Sequence, residues 1–327
     1  MSKIIVSNVT KTFKVAKRNS GLRSALKSFF KREYVYIDAV KDINFSIEEG
    51  EIVGYIGPNG AGKSTTIKML SGILTPSSGS ILVDGLNPVK DRKKYVSSIG
   101  VVFGNRSQLS WDIPAEDTFD LLHDIYKIPD NEYYQTKEEL VKLLGISEII
   151  KKPVRTLSLG ERMRCEIASA LLHKPKILFL DEPTIGLDAI SKNIVRDFIK
   201  KINKKDKITV ILTTHDMADI EALAKRIILI GNGSILYDGN LEELKHKFGS
   251  YKKILVVTSD KIGNIKNKGV IEANKVDNGY MYTIDSNVIS VSYFLNYLSK
   301  NYNIEDIEID NESIDNIIIK LYEEYNL

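Results

Sequence analysis

Gly57-Pro-Asn-Gly-Ala-Gly-Lys-Ser64 is the stretch of sequence that decides the fold, and Thr65 follows it. The stretch matches the phosphate loop G-x-x-x-x-G-K-[ST], and it lies in the required setting between a predicted strand and a predicted helix. Its glycines allow backbone N–H groups to turn inward around phosphate oxygens, and the helix N-terminus adds positive potential. We expect Lys63 to reach the β- and γ-phosphates and the Ser64 hydroxyl to bind Mg²⁺. The candidate nucleotide ligands here are Gly57, Pro58, Asn59, Gly60, Ala61, Gly62, Lys63, Ser64 and Thr65.

Two carboxylates end an apolar strand further along the chain. The run Ile177-Leu-Phe-Leu180 predicts a buried strand, and Asp181 and Glu182 follow it directly. In a doubly wound sheet, ligands bind at this C-terminal end of the strands. Phosphoryl transfer needs an oriented nucleophile more than covalent chemistry. We therefore expect Asp181 to hold Mg²⁺ through water and Glu182 to polarise an attacking water.

Apolar strands and helical segments alternate through most of the chain. This alternation predicts parallel strands with helices on both faces of the sheet. The pattern predicts strands over 4–13, 35–47, 51–56, 81–84, 99–103, 177–180, 208–213, 227–230 and 234–237. Helical periodicity dominates from Pro114 to about Ser158. After about Phe248 the composition changes, and short strands with two helices predict a small α+β domain over 250–327.

A basic amphipathic helix is predicted between the first two strands, over residues 14–31. Leucines and phenylalanines recur there at helical spacing among lysines and arginines. The basic face is either solvated surface or a contact with a membrane subunit or the acidic face of a bilayer.

The composition is that of a globular protein without disulfides and without long apolar segments. Hydrophobic residues make up 43% of the chain and the net charge is +3, which is an ordinary globular mix with no requirement for nucleic acid. Cys165 is the only cysteine, so no disulfide forms within the chain, as fits a reducing compartment. No signal peptide or transmembrane segment is expected, because the apolar runs are strand-sized.

Leu157-Ser-Leu-Gly-Glu161 stands just before a helix that is predicted to begin near Arg162. It resembles the signature Leu-Ser-Gly-Gly-Gln of ABC-transporter nucleotide-binding subunits, with Leu159 and Glu161 as departures. A helix N-terminus of this kind can present N–H groups to a phosphate. Together with the phosphate loop and the acidic end of the predicted strand, this stretch resembles the family, and the resemblance covers residues 1–245. The candidate signature contacts, made to the ATP of a partner subunit, are Ser158, Leu159, Gly160 and Glu161.

The resemblance implies further site residues and a partner. Gly186-Leu-Asp188 resembles the D-loop, which makes Asp188 a candidate. His215 resembles the switch histidine, which contacts the γ-phosphate and orients the catalytic water beside Glu182. In the family, two subunits face head to tail and each ATP lies between the phosphate loop of one and the signature of the other. ATP and Mg²⁺ are therefore the implied cofactors, and a second ATPase subunit, a second copy or a different protein, is implied.

Two positions of the family pattern stay open. The glutamine that senses Mg²⁺ and γ-phosphate falls near Asn105 by register, whereas Gln108 has the right chemistry a few residues later. The aromatic partner of adenine falls at Phe13, and Tyr36 is its alternative because the inserted helix separates the two strands.

The fold class implied is α/β: a P-loop NTPase parallel sheet core with an antiparallel β subdomain and a helical subdomain, plus a small C-terminal α+β domain. The ATPase domain is expected over 1–245, with its helical subdomain at about 105–165. Stretches such as Gly100–Phe103 and Leu157–Leu172 look like bacterial exporter ATPases that pair with separate ABC-2-type membrane permeases. The implied location is the inner face of the cell membrane, in the cytoplasm. An importer ATPase and a soluble ABC ATPase acting on ribosomes are the alternatives.

Overall fold

The computed structural model describes residues 2–16, 34–104, 106–262, 265 and 268–325. Most of the basic helix predicted over 14–31 lies outside these residues, and its first three positions continue a strand instead. Two compact units make up the chain, residues 1–239 and 240–327. The sequence placed the division later, between 245 and 250, because the composition changes only after about Phe248. In the structure the helix over 241–248 packs against the last helix of the second unit.

The strands of the first unit form two sheets in the described part of the chain. An antiparallel sheet has the order β2-β1-β4, and a larger sheet has the order β5-β6-β7-β3-β8-β9, in which β5, β6, β7, β3 and β8 run parallel. These strands are β1 (Ser2–Ala16), β2 (Tyr34–Glu48), β3 (Ile52–Ile56), β4 (Ser78–Val83), β5 (Ile99–Phe103), β6 (Ile177–Asp181), β7 (Thr209–Thr213), β8 (Arg226–Gly231) and β9 (Ser234–Asn240).

The helices of the first unit connect these strands. They are α1 (Lys63–Leu70), α2 (Arg92–Val96), α3 (Ala115–Tyr126), α4 (Asp130–Leu144), α5 (Leu159–Ser169), α6 (Ala189–Asp206) and α7 (Met217–Leu223), with a 3₁₀ turn at Val154–Thr156. Helices α3 and α4 both pack on α5, and Tyr133 and Lys137 of α4 contact Asp120 of α3. The three helices form the helical subdomain. Helix α5 begins at Leu159 and not near Arg162, because Ser158 caps its N-terminus.

Burial in the larger sheet explains its apolar sequence. Every residue of β6 and of β7 is buried, as is usual for parallel strands that helices cover on both faces. Such strands read as continuous apolar runs, which is why the sequence shows them clearly. The predicted α/β fold class, with its parallel core and antiparallel subdomain, is confirmed.

The second unit is a separate antiparallel sheet with helices. Its strands β10 (Tyr251–Val257), β11 (Val270–Val276), β12 (Gly279–Asp285) and β13 (Asp306–Asn311) have the order β11-β12-β10-β13. Its helices are α8 (Leu241–Phe248), α9 (Val291–Asn301) and α10 (Ile314–Glu324). Phe294 and Leu298 of α9 pack on the sheet and share a core with Ile254 and Tyr282. This unit therefore has an apolar core of its own.

We expect a chain that ends at Gly239 to fold and to bind ATP, because the second unit has its own core. The measurement is thermal unfolding by circular dichroism with and without ATP, compared with the full chain. A truncated chain that shows no cooperative transition would contradict the division into two units.

Within the described residues, no helix is both long and apolar enough to cross a membrane. The single cysteine, Cys165, is buried in α5, and burial raises the pKa of its thiol to about 12. A thiol with so high a pKa stays protonated and reacts slowly, because the thiolate is the nucleophile.

A partly buried histidine, His173, makes stability depend on pH. The ring of His173 stacks on Tyr126 at 4.1 Å, and its Nε2 lies 2.9 Å from the carbonyl oxygen of Ile99. Nε2 must therefore be the protonated nitrogen, and buried Nδ1 has no partner among the described residues. Burial lowers the pKa of His173, because it removes water from the charged imidazolium, and the hydrogen bond to Ile99 opposes that shift.

We expect stability to fall as pH drops below about 6.5, the pKa of histidine in the unfolded chain. The unfolded chain takes up a proton there that the folded chain does not, at a cost of up to about 1.4 kcal/mol per pH unit until the folded pKa is reached. Between pH 7 and pH 5, the unfolding midpoint of His173→Gln should decrease less than that of the unchanged chain. An identical pH profile for both chains would contradict the assignment.

Candidate functional site

The glycine-rich loop over 57–62 joins β3 to α1 at the C-terminal end of the parallel sheet. Gly62 has a left-handed φ of 107°, and a Cβ at that position would lie 2.5 Å from the carbonyl oxygen of Ala39. Only glycine fits this close approach and this φ without strain. Lys63, Ser64 and Thr65 form the first turn of α1, so the backbone N–H groups that begin the helix point towards the loop.

The Lys63 ammonium is folded over its own loop. Its Nζ donates to the carbonyl oxygens of Gly57 at 2.6 Å and of Pro58 at 3.0 Å. Burial lowers the pKa of Lys63, and the negative charges of Glu182 and Asp181 oppose that shift. A cation held above an N–H-rich loop suits a polyanionic ligand.

The loop meets the acidic end of β6. The Ser64 hydroxyl donates to Asp181 Oδ1 at 3.2 Å, and the Thr213 hydroxyl at the end of β7 donates to the same oxygen at 2.6 Å. Asp181 is buried, with 7% of its surface exposed. A hydroxyl and a carboxylate oxygen side by side are the hard donors that Mg²⁺ prefers, and Mg²⁺ takes its remaining ligands from water and phosphate. The residues therefore fit a magnesium ion.

Glu182 and His215 form a pair beside this end of β6. His215 Nε2 lies 2.6 Å from Glu182 Oε1. Glu182 has a left-handed φ of 58°, which costs energy for a residue other than glycine. Its backbone N–H donates to the carbonyl of Thr213 at 3.0 Å, so the neighbouring strand helps to hold the strained conformation. The carboxylate is thus aimed at the imidazole, and both side chains are partly exposed.

The signature stretch forms a capping box at the N-terminus of α5. The Glu161 backbone N–H donates to Ser158 Oγ at 3.3 Å, and Glu161 Oε2 accepts from the Ser158 backbone N–H at 2.8 Å. This hydrogen bond holds the pKa of Glu161 below its usual range. Leu159 and Gly160 are the first two helical residues, whose N–H groups have no acceptor within a helix. The Glu161 side chain is engaged locally, so the groups offered to a ligand are main-chain N–H groups.

Asp188 caps the next helix and lies close to the signature. Its Oδ1 accepts from the Ser191 backbone N–H and its Oδ2 from the Ser191 hydroxyl, both at 2.9 Å. The N–H contact lowers the pKa of Asp188. A Cβ at Gly160 would lie 2.3 Å from Ser191 Oγ. Signature and D-loop therefore pack together within one chain.

The loop after β5 holds Gln108, whereas Asn105 lies outside the described residues. The Gln108 side-chain amide donates to the carbonyl of Val101, so this side chain is folded back on β5. Its backbone N–H donates to both oxygens of Glu166, at 3.1 and 3.0 Å, and the Ser107 hydroxyl donates to Glu166 as well. Burial raises the pKa of Glu166, against these hydrogen bonds. The α5 carboxylate thus ties the loop to the signature helix.

Phe13 and Tyr36 lie where β1 pairs with β2 alone, beyond the part of β1 that also pairs with β4. Phe13 stands opposite Ile37, and Tyr36 stands opposite Lys14 in the adjacent register position. Neighbouring positions on a strand face opposite sides, so Phe13 and Tyr36 cannot both face the same base. Tyr36 is 66% exposed, whereas Phe13 is partly buried.

Two buried carboxylates at this site carry no sequence motif that singles them out. Glu166 holds the loop after β5, and Asp219 is fully buried at the start of α7. Glu166 is detectable in principle, because it stands between the apolar residues Cys165 and Ile167 in a helix. Asp219 carries no such signal, because the acidic residues Asp216 and Glu221 stand close to it in sequence and Glu221 is exposed.

Comparison with known proteins gives consistent matches. A family model described as "ABC transporter" matches residues 40–185. The Bacillus subtilis ABC transporter ATP-binding protein NatA is 38% identical over 208 residues, which cover 64% of this chain and 84% of that protein. The linearmycin resistance ATP-binding protein LnrL of the same organism is 36% identical over 219 residues, or 67% of this chain and 70% of that protein.

An import protein and a solved structure also match. The methionine import ATP-binding protein MetN of Vibrio vulnificus is 37% identical over 215 residues, covering 64% of this chain and 61% of that protein. The dimeric ATP-binding cassette MJ0796, solved with ADP and Pi, has a TM-score of 0.61 and 27% identity, covering 73% of this chain and 98% of that chain.

Proposed function

This chain belongs to the ABC transporter family as an ATP-binding, ATP-hydrolysing subunit, and from that premise we propose that it powers export through a separate ABC-2-type membrane permease. The observation that carries the direction of transport is the similarity to LnrL, a resistance protein, over 70% of its length. Removal of a toxic compound requires outward movement. The proposed location is therefore the inner face of the cell membrane.

The chemistry assigned to the site is hydrolysis of ATP by an oriented water. Lys63 exchanges its carbonyl partners for the β- and γ-phosphate oxygens, and the loop N–H groups bind the remaining charge. Ser64 and Asp181 would hold Mg²⁺, which when bound would neutralise charge on the phosphates. Glu182 accepts a hydrogen bond from the attacking water, and His215 contacts the γ-phosphate.

The 2.6 Å contact of Glu182 with His215 supports these roles. In these roles Glu182 contacts the attacking water and His215 contacts the γ-phosphate, so the two side chains must lie close together. The contact between them agrees with that requirement. Thr213 helps to hold both acidic residues. Its hydroxyl donates to Asp181, and its carbonyl oxygen accepts from the Glu182 backbone N–H.

A second ATPase subunit completes each site in this proposal. The main-chain N–H groups at Leu159 and Gly160 would contact the ATP that the partner subunit holds on its phosphate loop. The similarity to the MJ0796 cassette, which is dimeric with ADP and Pi bound, supports a dimer. The exposed Ile185 and Ile190 beside the D-loop, 48% and 75% exposed, offer apolar surface for the contact. A second copy of this chain is the proposed partner.

The test is recovery of the tagged chain from detergent-solubilised membranes of its host, with and without ATP and Mg²⁺, beside an untagged control. A co-purifying multi-helix membrane protein supports the transporter partner. Outward movement of cargo in vesicles containing both proteins supports export. Recovery with ribosomes alone would contradict the permease partner.

Import is the second candidate, and the similarity to MetN is the observation in its favour. A periplasmic-type binding protein that co-purifies with the permease would favour import. Uptake in the vesicle assay would contradict the export proposal and leave the ATPase assignments in place.

A further inference from the structure

A fully buried carboxylate lies behind the catalytic pair. Asp219 has 0% of its surface exposed. Its Oδ2 accepts from the hydroxyls of Thr184 and Thr214, the second at 3.0 Å. Its Oδ1 accepts from Arg196 Nε at 2.6 Å and lies 2.5 Å from Arg196 Nη2. We call Thr184, Thr214, Asp219 and Arg196 the Asp219 cluster.

The two threonines of the cluster adjoin the two residues assigned to hydrolysis. Thr184 follows Glu182 by two residues, and Thr214 immediately precedes His215. One carboxylate oxygen therefore binds both of the chain segments whose side chains meet at 2.6 Å. The separation of these segments depends on Asp219 Oδ2.

Strain at Glu182 gives this link a function. Glu182 holds a left-handed φ of 58°, and such a conformation persists only when the surrounding structure determines it fully. Thr213 fixes the N-terminal side of Glu182 through the backbone N–H. Thr184 fixes the C-terminal side through the Asp219 cluster.

Helix α6 supports the cluster from behind. Arg196 Nη2 also lies 3.5 Å from Asp216 Oδ2, and Lys192 Nζ lies 2.6 Å from the same oxygen. Burial opposes ionisation of Asp216, but the hydrogen bond from Lys192 prevails and lowers the pKa of Asp216. The residue that follows His215 is thus also held by α6.

We propose that Asp219 is a positioning residue for ATP hydrolysis, which sets the placement of Glu182 and His215 through Thr184 and Thr214. The proposal rests on the proposed roles of Glu182 and His215. Asp219 touches neither nucleotide nor water in this role. It acts through the hydroxyls that it accepts from.

The test removes the hydroxyls and keeps the ion pair. Thr184→Val and Thr214→Val conserve volume and leave Asp219 bound to Arg196. Removal of Asp219 itself would leave Arg196 with only its 3.5 Å contact to Asp216, so the loss of the ion pair would be mixed with the loss of the hydroxyl contacts. We expect each valine variant of the full-length chain to lower kcat at least about tenfold, because small misplacements of reacting groups are costly. The KM for ATP should change less than about twofold, because no phosphate ligand is altered.

Thr209→Val is the matched control. Thr209 is a fully buried threonine at the opposite end of β7, where its hydroxyl accepts from the Gly50 N–H. We expect this control to lower the unfolding midpoint and to leave kcat unchanged. Thr184→Ser keeps the hydroxyl and should restore most of kcat.

A double-mutant cycle shows whether the effect passes through the catalytic pair. Added to His215→Ala, the Thr214→Val change should cost much less than it costs alone. If the Thr184→Val and Thr214→Val variants lower only the unfolding midpoint, as Thr209→Val is expected to do, the positioning role of Asp219 is overturned. The proposed function still stands in that case if Glu182→Gln is inactive. Full turnover of Glu182→Gln would overturn both.

Discussion

Glu182→Gln is expected to bind ATP as the unchanged chain does and to lose steady-state hydrolysis by about a hundred- to ten-thousandfold, the range for removal of a general base. Glutamine has the same shape, and its amide oxygen can still accept from His215 at the position of Glu182 Oε1. What it lacks is the negative charge that polarises a water. The measurements are phosphate release and ATP affinity by calorimetry.

Glu138→Gln is the control for this variant, since it removes the same charge from an exposed position on α4. Its hydrolysis rate should equal that of the unchanged chain. Retained turnover in Glu182→Gln would remove Glu182 as the catalytic carboxylate and leave the family assignment in place.

Lys63→Ala should lose ATP affinity by at least about a hundredfold. The ammonium is expected to make two charge-assisted hydrogen bonds to phosphate, each contributing about 1.5–3 kcal/mol, and about 1.4 kcal/mol is a factor of ten in affinity. Calorimetric titration with ATP and Mg²⁺ measures the loss directly.

Lys68→Ala separates this effect from a general loss of charge on α1, because Lys68 lies in the last turn of the same helix. Thermal unfolding of both variants controls for folding, since Lys63 also donates to two loop carbonyls. Normal ATP affinity in a folded Lys63→Ala variant would contradict the phosphate-loop assignment.

The parallel core could be predicted from sequence because its signal is local. Residues 177–181 are all buried, and the first four of them are apolar without interruption, so Asp181 and Glu182 mark where the strand ends. The phosphate loop is equally local, since glycines such as Gly62 are required by a backbone conformation that few other residues adopt. The start of α5 is predicted too late because the apolar pattern begins only after it, whereas the capping box of Ser158 and Glu161 sets the helix start at Leu159.

Long-range contacts made the rest of the site unpredictable. Glu166 bonds the loop that contains Gln108, and Asp219 bonds Thr184 and Thr214. Each contact joins segments that only the folded chain brings together. The division between the two units was also set by tertiary packing, because α8 packs on α10.

The buried thiol of Cys165 makes the chain convenient for spectroscopy. It is the only cysteine in the sequence, and burial raises the pKa of its thiol to about 12, so maleimide and methanethiosulfonate reagents at neutral pH should leave it unmodified. A cysteine introduced at the exposed Glu138 of α4 can then take a spin label or a fluorophore without replacement of the native one. Distances between two labelled copies would follow opening and closing of the proposed dimer during turnover.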